Sequence, residues 1–265
     1  MILKIFFFIT GLFLISVNFI GTQINLDKHP VTKDVIFHKN SINYLKENEW
    51  RNELTKYQNI RIGHLSEINK IFASSIYHFW ENDSFDRFQI YSLYENWIIF
   101  SLSYFEYFLF KNNVISKIYF SKLERLTWEK IMEKGIGYCS QISIALHGFL
   151  KSRNIDSKLL AFDGHVVVLV NNNIVMDADK NVIIRDFNVN NIPPQIIQSH
   201  YKKAGYNDTE SFQMEKIYRT KAQLLNIKDY YPKLFLFIFL MNILKWLIPS
   251  ILIFYSIRFK NKNEI

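Results

Sequence analysis

The chain's single cysteine, Cys139, is followed by His165 and Asp177, an order of residue types that can carry nucleophilic catalysis. A thiolate attacks a carbonyl carbon, an imidazole moves the proton, and a carboxylate holds that imidazole in one tautomer. Attack on an amide or ester gives a thioester, which water hydrolyses or an amine captures as acyl transfer. Asp179 stands two residues beyond Asp177 and could take its part. Tyr138 and Gln141 flank the thiol and could line an oxyanion site. His147 falls two helical turns after Cys139 and reads as a packing or surface residue. The remaining histidines, His29, His38, His64, His78 and His200, show no metal-ligand spacing. There is no phosphate loop, GxSxG elbow or dinucleotide fingerprint, so neither a metal nor a cofactor is expected.

Three groups so far apart in sequence need elements that bring them together. Gly135 and Gly137 permit a tight loop just before Cys139. From Cys139 onward, Ile142, Leu146, Phe149 and Leu150 recur at helical spacing, and Asn154 is a left-handed cap. The thiol therefore opens a helix, where unpaired N–H groups and peptide dipoles favour a thiolate and can serve an oxyanion. Residues 157–162 read as a strand, and Asp163-Gly164 as a turn. His165 then opens a β-branched strand over 166–170. Asn171-Asn172-Asn173 is a hairpin signal, and a short strand over 174–176 leads to Asp177. Antiparallel pairing would bring His165 and Asp177 side by side. The expected fold is α+β: a helix carrying Cys139 packed on a small antiparallel sheet carrying His165 and Asp177, with extra helices upstream.

The run Gly-x-Gly-Tyr-Cys, the amphipathic helix after it, Gly-His-Val-Val-Val, the hairpin and Met-Asp-Ala-Asp resemble the transglutaminase-like core, a branch of the papain-like cysteine enzymes. The likeness covers about 45 residues, from Gly135 to Asp179. It implies Cys139 as nucleophile, His165 as general base and acid, and Asp177 as the orienting residue. It departs from the pattern in having no tryptophan near His165. The expected order is a mainly helical region at 25–120, the catalytic core at 121–192 and, past the break at Pro193-Pro194, a helical connector at 193–230; residues 25–134 match no part of the family pattern. A second reading keeps the fold but makes it a binding or assembly module without turnover.

A length of 265 residues suits one mid-sized domain with accessory segments. The net charge of +8 is spread along the chain without a dense basic run, so nucleic acid is not expected as a partner. One cysteine excludes an internal disulfide and a zinc site of several thiolates. Residues 5–20 are uncharged and apolar after Lys4, and read as an uncleaved signal anchor within 1–22, with a cleaved signal as the alternative. Residues 234–257 form a second apolar run, interrupted by Lys245 and Pro249. Lys4 before the first run and Arg258, Lys260 and Lys262 after the second put both termini in the cytoplasm. The central domain is then extracytoplasmic, with the lipid bilayer as one partner and a peptide or cell-surface polymer as substrate. The aromatic stretch at 97–110 is too short to span and contains Glu106, so a core helix is expected there.

Overall fold

The computed structural model describes residues 2–23, 45–78, 91–120, 123–189 and 193–258. His29, His38, Phe85, Phe88, Lys260 and Lys262 lie outside these. In chain order the first elements are α1 (Ile2–Gln23), α2 (Glu47–Thr55), α3 (Leu65–Ser75) and β1 (Tyr77–His78). Next come α4 (Trp97–Lys111), α5 (Trp128–Lys134), β2 (Ile136–Gly137) and α6 (Cys139–Ser152). The strands β3 (Ser157–Phe162), β4 (His165–Val170), β5 (Ile174–Asp177) and β6 (Val182–Ile184) follow. The chain then forms α7 (Pro194–Lys203), α8 (Asp208–Tyr218), β7 (Gln223–Leu225), α9 (Ile227–Tyr230) and α10 (Pro232–Arg258). The class is α+β. The chain divides into two units, 29–86 with 124–231, and 1–28 with 87–123 and 232–265.

In the first of these units, five strands form an antiparallel sheet in the order β6-β5-β4-β3-β7. Every position of β4 is buried, because helices cover both faces of the sheet. On one face Ile142, Leu146 and Phe149 of α6 pack on Leu159, Val166, Val168 and Met176. On the other, Ile197 and Tyr201 of α7 and Met214 and Tyr218 of α8 pack on Leu160, Val167, Leu169 and Val175. Odd and even positions of β4 thus feed two cores, as the two-residue period of a strand requires. Asn171 and Asn172 turn the β4–β5 hairpin with φ of 48° and 61°. Asn154 ends the helix region with φ of 60°, as its side chain tolerates.

The segment 193–230 differs from the expected helical connector. Its helices α7 and α8 cover a whole face of the sheet, and β7 pairs with β3 as an edge strand. The apolar signal was hidden because Ile197, Tyr201, Met214 and Tyr218 are spread among polar residues.

The second unit gathers α1, α4 and α10. Among the described residues, two helices, at 2–22 and 232–258, are long and apolar enough to cross a membrane. α1 and α10 run antiparallel: Phe7 meets Tyr255 with ring centroids 6.0 Å apart, and Phe19 meets Trp246 at 5.3 Å. At Gly11 a Cβ would stand 2.7 Å from Ile253 Cγ1 and 2.9 Å from the Pro249 carbonyl, so the helices touch where a side chain is absent. The stretch at 97–110 is helical but is no core helix. Only Ile99, Ser103 and Glu106 of α4 are buried, while Tyr104, Phe105 and Phe108 are exposed.

Phe149 is fully buried and packs its ring against Phe72 and Trp128. Phe149→Ala should destabilise the unit by about 3–5 kcal/mol, read from denaturant unfolding of the detergent-solubilised chain. A loss below about 1 kcal/mol would show that the helix-to-sheet face is not the core described.

Candidate active site

The thiol is placed by the helix it opens. Tyr138 is the N-cap of α6, with an extended backbone at φ −77° and ψ 172°, and Cys139 is its first helical residue. Gly135 ends α5 in the left-handed region at φ 67°, which lets the chain reverse into β2 and the thiol. At Gly137 a Cβ would lie 2.5 Å from Gln141 Cβ, so only glycine fits beneath the first turn. One turn along, Ser143 Oγ donates to the Val166 carbonyl at 2.7 Å, tying α6 to the start of β4 beside His165. Glu124 lies under the same helix start. It accepts from Ser140 Oγ at 3.0 Å, Gln141 Nε2 at 3.2 Å and Tyr231 OH at 2.9 Å. Burial pushes the Glu124 carboxyl up, against the pull of those three donors. Gln141 is committed to this anchor and to the Arg125 carbonyl at 2.8 Å, so it does not line the cleft as expected. Tyr138 does line it.

His165 Nε2 and Asp177 Oδ2 are 2.8 Å apart, and both side chains are buried. The contact is diagonal rather than side by side. The β4–β5 ladder ends at Val168↔Met176, and Asp177 pairs onward with Val182 of β6. Asp177 also accepts from Tyr201 OH at 2.5 Å through Oδ2 and from the Lys180 N–H at 3.1 Å through Oδ1. Burial, then the Asp177 charge, holds the Tyr201 hydroxyl well above its ordinary pKa, so it stays a donor. For His165, burial opposes a charged ring. The Asp177 carboxylate, with Cys139 adding to it, outweighs that cost and raises its pKa well above the usual 6.5. With Nε2 turned to Asp177, the ring's Nδ1 is the atom left for the thiol.

Cys139, which is half-buried, and His165 face a cleft of about 420 Å³. It is also lined by His78, Lys180 and Tyr206, and by Glu210, Gln213 and Met214 of the α8 region. Asp179, the alternative third member, does not serve His165. It pairs with His78 Nδ1, and Lys180 Nζ lies 3.1 Å from its Oδ2. Burial would raise the Asp179 carboxyl, but the His78 hydrogen bond and the Lys180 charge hold it below the usual carboxylate range. Burial disfavours the Lys180 ammonium, and Asp179 then Asp177 restore it. His78 reaches the cleft because β1 pairs in parallel with β2, setting His78 beside Gly137.

Sequence reasoning missed His78, Lys180, Tyr201 and Tyr206. His78 stands alone in sequence, and nothing local signals a β1–β2 pairing across nearly sixty residues. His147 is buried, with Nδ1 3.0 Å from Ser157 Oγ, so it braces α6 against β3. The potential ligand atoms of His165, Asp177 and Asp179 lie within 4.8 Å of one another, close enough to share an ion. They are turned to one another, to Tyr201, to His78 and to Lys180, so an ion there would have to break these bonds first. No protein-family model, curated protein or solved structure matches this chain.

Two buried histidines make opposite pH predictions. Burial, helped by Lys151, lowers the pKa of His147 to about 4, from 6.5. The unfolded chain then takes up a proton that the folded one refuses, so stability falls as pH drops from 6.5 towards 4. For His165 the folded pKa is raised, so its contribution is complete below 6.5 and is lost as pH rises through the higher folded value. His147→Gln should flatten the acid limb of a plot of Tm against pH, and His165→Gln should flatten the alkaline one. Unchanged limbs would show that neither ring titrates between the folded and unfolded states as described.

Proposed function

We propose that this chain is a membrane-anchored cysteine enzyme of the transglutaminase-like kind, acting on amide or ester bonds through a thioester on Cys139. The observation that carries it is the placement of His165, with Nε2 on the buried Asp177 carboxylate and its ring in the cleft that Cys139 lines. No step needs a metal or cofactor. His165 Nδ1 takes the thiol proton, and Cys139 Sγ attacks the carbonyl carbon to form a tetrahedral oxyanion. The bond to the leaving group breaks as the imidazolium returns that proton to the departing amine or alcohol. Water or an amine then enters, His165 takes its proton, and collapse of the second intermediate releases Cys139. Asp177 does not exchange protons here. It fixes the ring and stabilises the imidazolium, and Tyr201 keeps the carboxylate aligned.

The lining of the cleft mixes Tyr206, Met214 and Ile217 with Glu210 and Gln213, a surface suited to a peptide-like chain. The charge flanks of α1 and α10 support an extracytoplasmic placement, where peptides or cell-surface polymers are the available acyl donors.

Alkylation of Cys139 by iodoacetamide tests the site without a known substrate. It should proceed near neutral pH faster than for a free thiol and fall about tenfold or more in His165→Ala. Asp177→Asn should slow it strongly, and Asp179→Asn much less. A folded protein whose thiol ignores all three changes would leave only a binding role.

Topology has its own check. Protease added outside spheroplasts should cut within residues 124–231, while tags at both termini stay protected. A protected central unit would move the chemistry to the cytoplasm.

A further inference from the structure

Lys245 sits at the middle of α10, with thirteen helical residues before it and thirteen after. It is about 20 Å from either helix end. A lysine at that depth in a bilayer is costly unless its ammonium finds a partner inside the protein. Lys245 Nζ donates to the Glu95 carbonyl at 3.0 Å. The Lys245 carbonyl in turn accepts from Trp97 Nε1 at 3.3 Å and Asn18 Nδ2 at 2.6 Å. Asn96 Nδ2 donates to Asn242 Oδ1 at 3.2 Å, and the Asn96 side chain also accepts from the N–H groups of Ile98 and Ile99 as N-cap of α4. The start of α4 therefore lies level with the centre of α10.

α1 lies along the C-terminal half of α10, from Lys245 to Tyr255. α4 begins where α1 ends. At Gly21 a Cβ would collide with the Tyr94 carbonyl oxygen, a closeness only glycine allows. The segment after α4 flanks the other half of α10, with Phe120 and Phe237 centroids 5.7 Å apart. The polarity of α4 is inverted relative to a helix in water. Ser103 and Glu106 are its buried side chains along with Ile99, and they are satisfied internally. Ser103 Oγ donates to the Phe120 carbonyl at 3.0 Å, and Glu106 accepts from the Tyr119 N–H at 2.5 Å. Outward it presents Tyr104, Phe105 and Phe108. Polar groups inside and aromatics outside suit hydrocarbon as solvent.

We propose that α4 is a third membrane-immersed segment, a half-span that enters and leaves on one side of the bilayer and lays Tyr104, Phe105 and Phe108 against lipid acyl chains. This rests on α1 and α10 being spans. Single cysteines at Phe105, Phe108, Phe239 and Asn173, each in the Cys139→Ser chain, would carry an environment-sensitive fluorophore after reconstitution in phosphatidylcholine vesicles. Phosphatidylcholine brominated on its acyl chains is the quencher. Labels at 105 and 108 should be quenched as strongly as the α10 label at 239, while the hairpin label at 173 stays bright. Bright labels at 105 and 108 beside a quenched 239 would overturn the half-span and leave the two spans intact. A bright label at 239 as well would overturn both.

Discussion

Asp177 is fully buried, and taking a carboxylate out of water costs several kcal/mol unless its charge and lone pairs are met. Its partners are drawn from three elements: His165 at the start of β4, Tyr201 on α7, and the Lys180 N–H in the turn after β5. That demand explains why both faces of the sheet must be covered. α7 and α8 bring Tyr201 and Tyr218, whose hydroxyls lie 3.2 Å apart. Without Tyr201, Oδ2 would keep His165 as its partner but lose the second donor that holds the carboxylate in place.

The same logic arranges the thiol. The first turn of α6 is held from below by Glu124 and from the sheet side by the Ser143–Val166 bond. A carboxylate near a helix N-terminus complements the positive end of the macrodipole. The Tyr231 hydroxyl on Glu124 also closes residues 124–231 into a loop with its ends together. Cys139, His165 and Asp177 therefore all stand on regular elements, α6, β4 and β5, as the proposed catalysis would require.

Around this site lies a second histidine–carboxylate pair, His78 with Asp179, next to the Lys180 ammonium. Two carboxylates two residues apart stay distinct because each is claimed by a different base. The other unit turns polar groups inward. Asn18, Asn96, Asn242 and Lys245 form a polar layer that bonds inward, while phenylalanines and leucines face out.

Local patterns in the sequence were enough for the helix opened by Cys139, the Asn171–Asn172 turn, the strands on either side of it and the two long apolar helices. These depend on nearest neighbours: helical spacing, left-handed asparagines, β-branched runs and unbroken apolar length. The sequence reading favoured Asp177 and left Asp179 as the alternative, but what separates the two lay beyond such patterns. It depends on where the β4–β5 ladder stops and on Tyr201 reaching in from α7. His78 entered the cleft through a parallel pairing that no local residue announces. β7 and the two helices before it joined the core only because the sheet had a bare face and edge to cover. α4 looked like a core helix by composition, yet its buried face holds Ser103 and Glu106 while Tyr104, Phe105 and Phe108 are exposed. Which of its faces is covered, and by what, is a property of the assembled chain, where each buried polar group must find its partner.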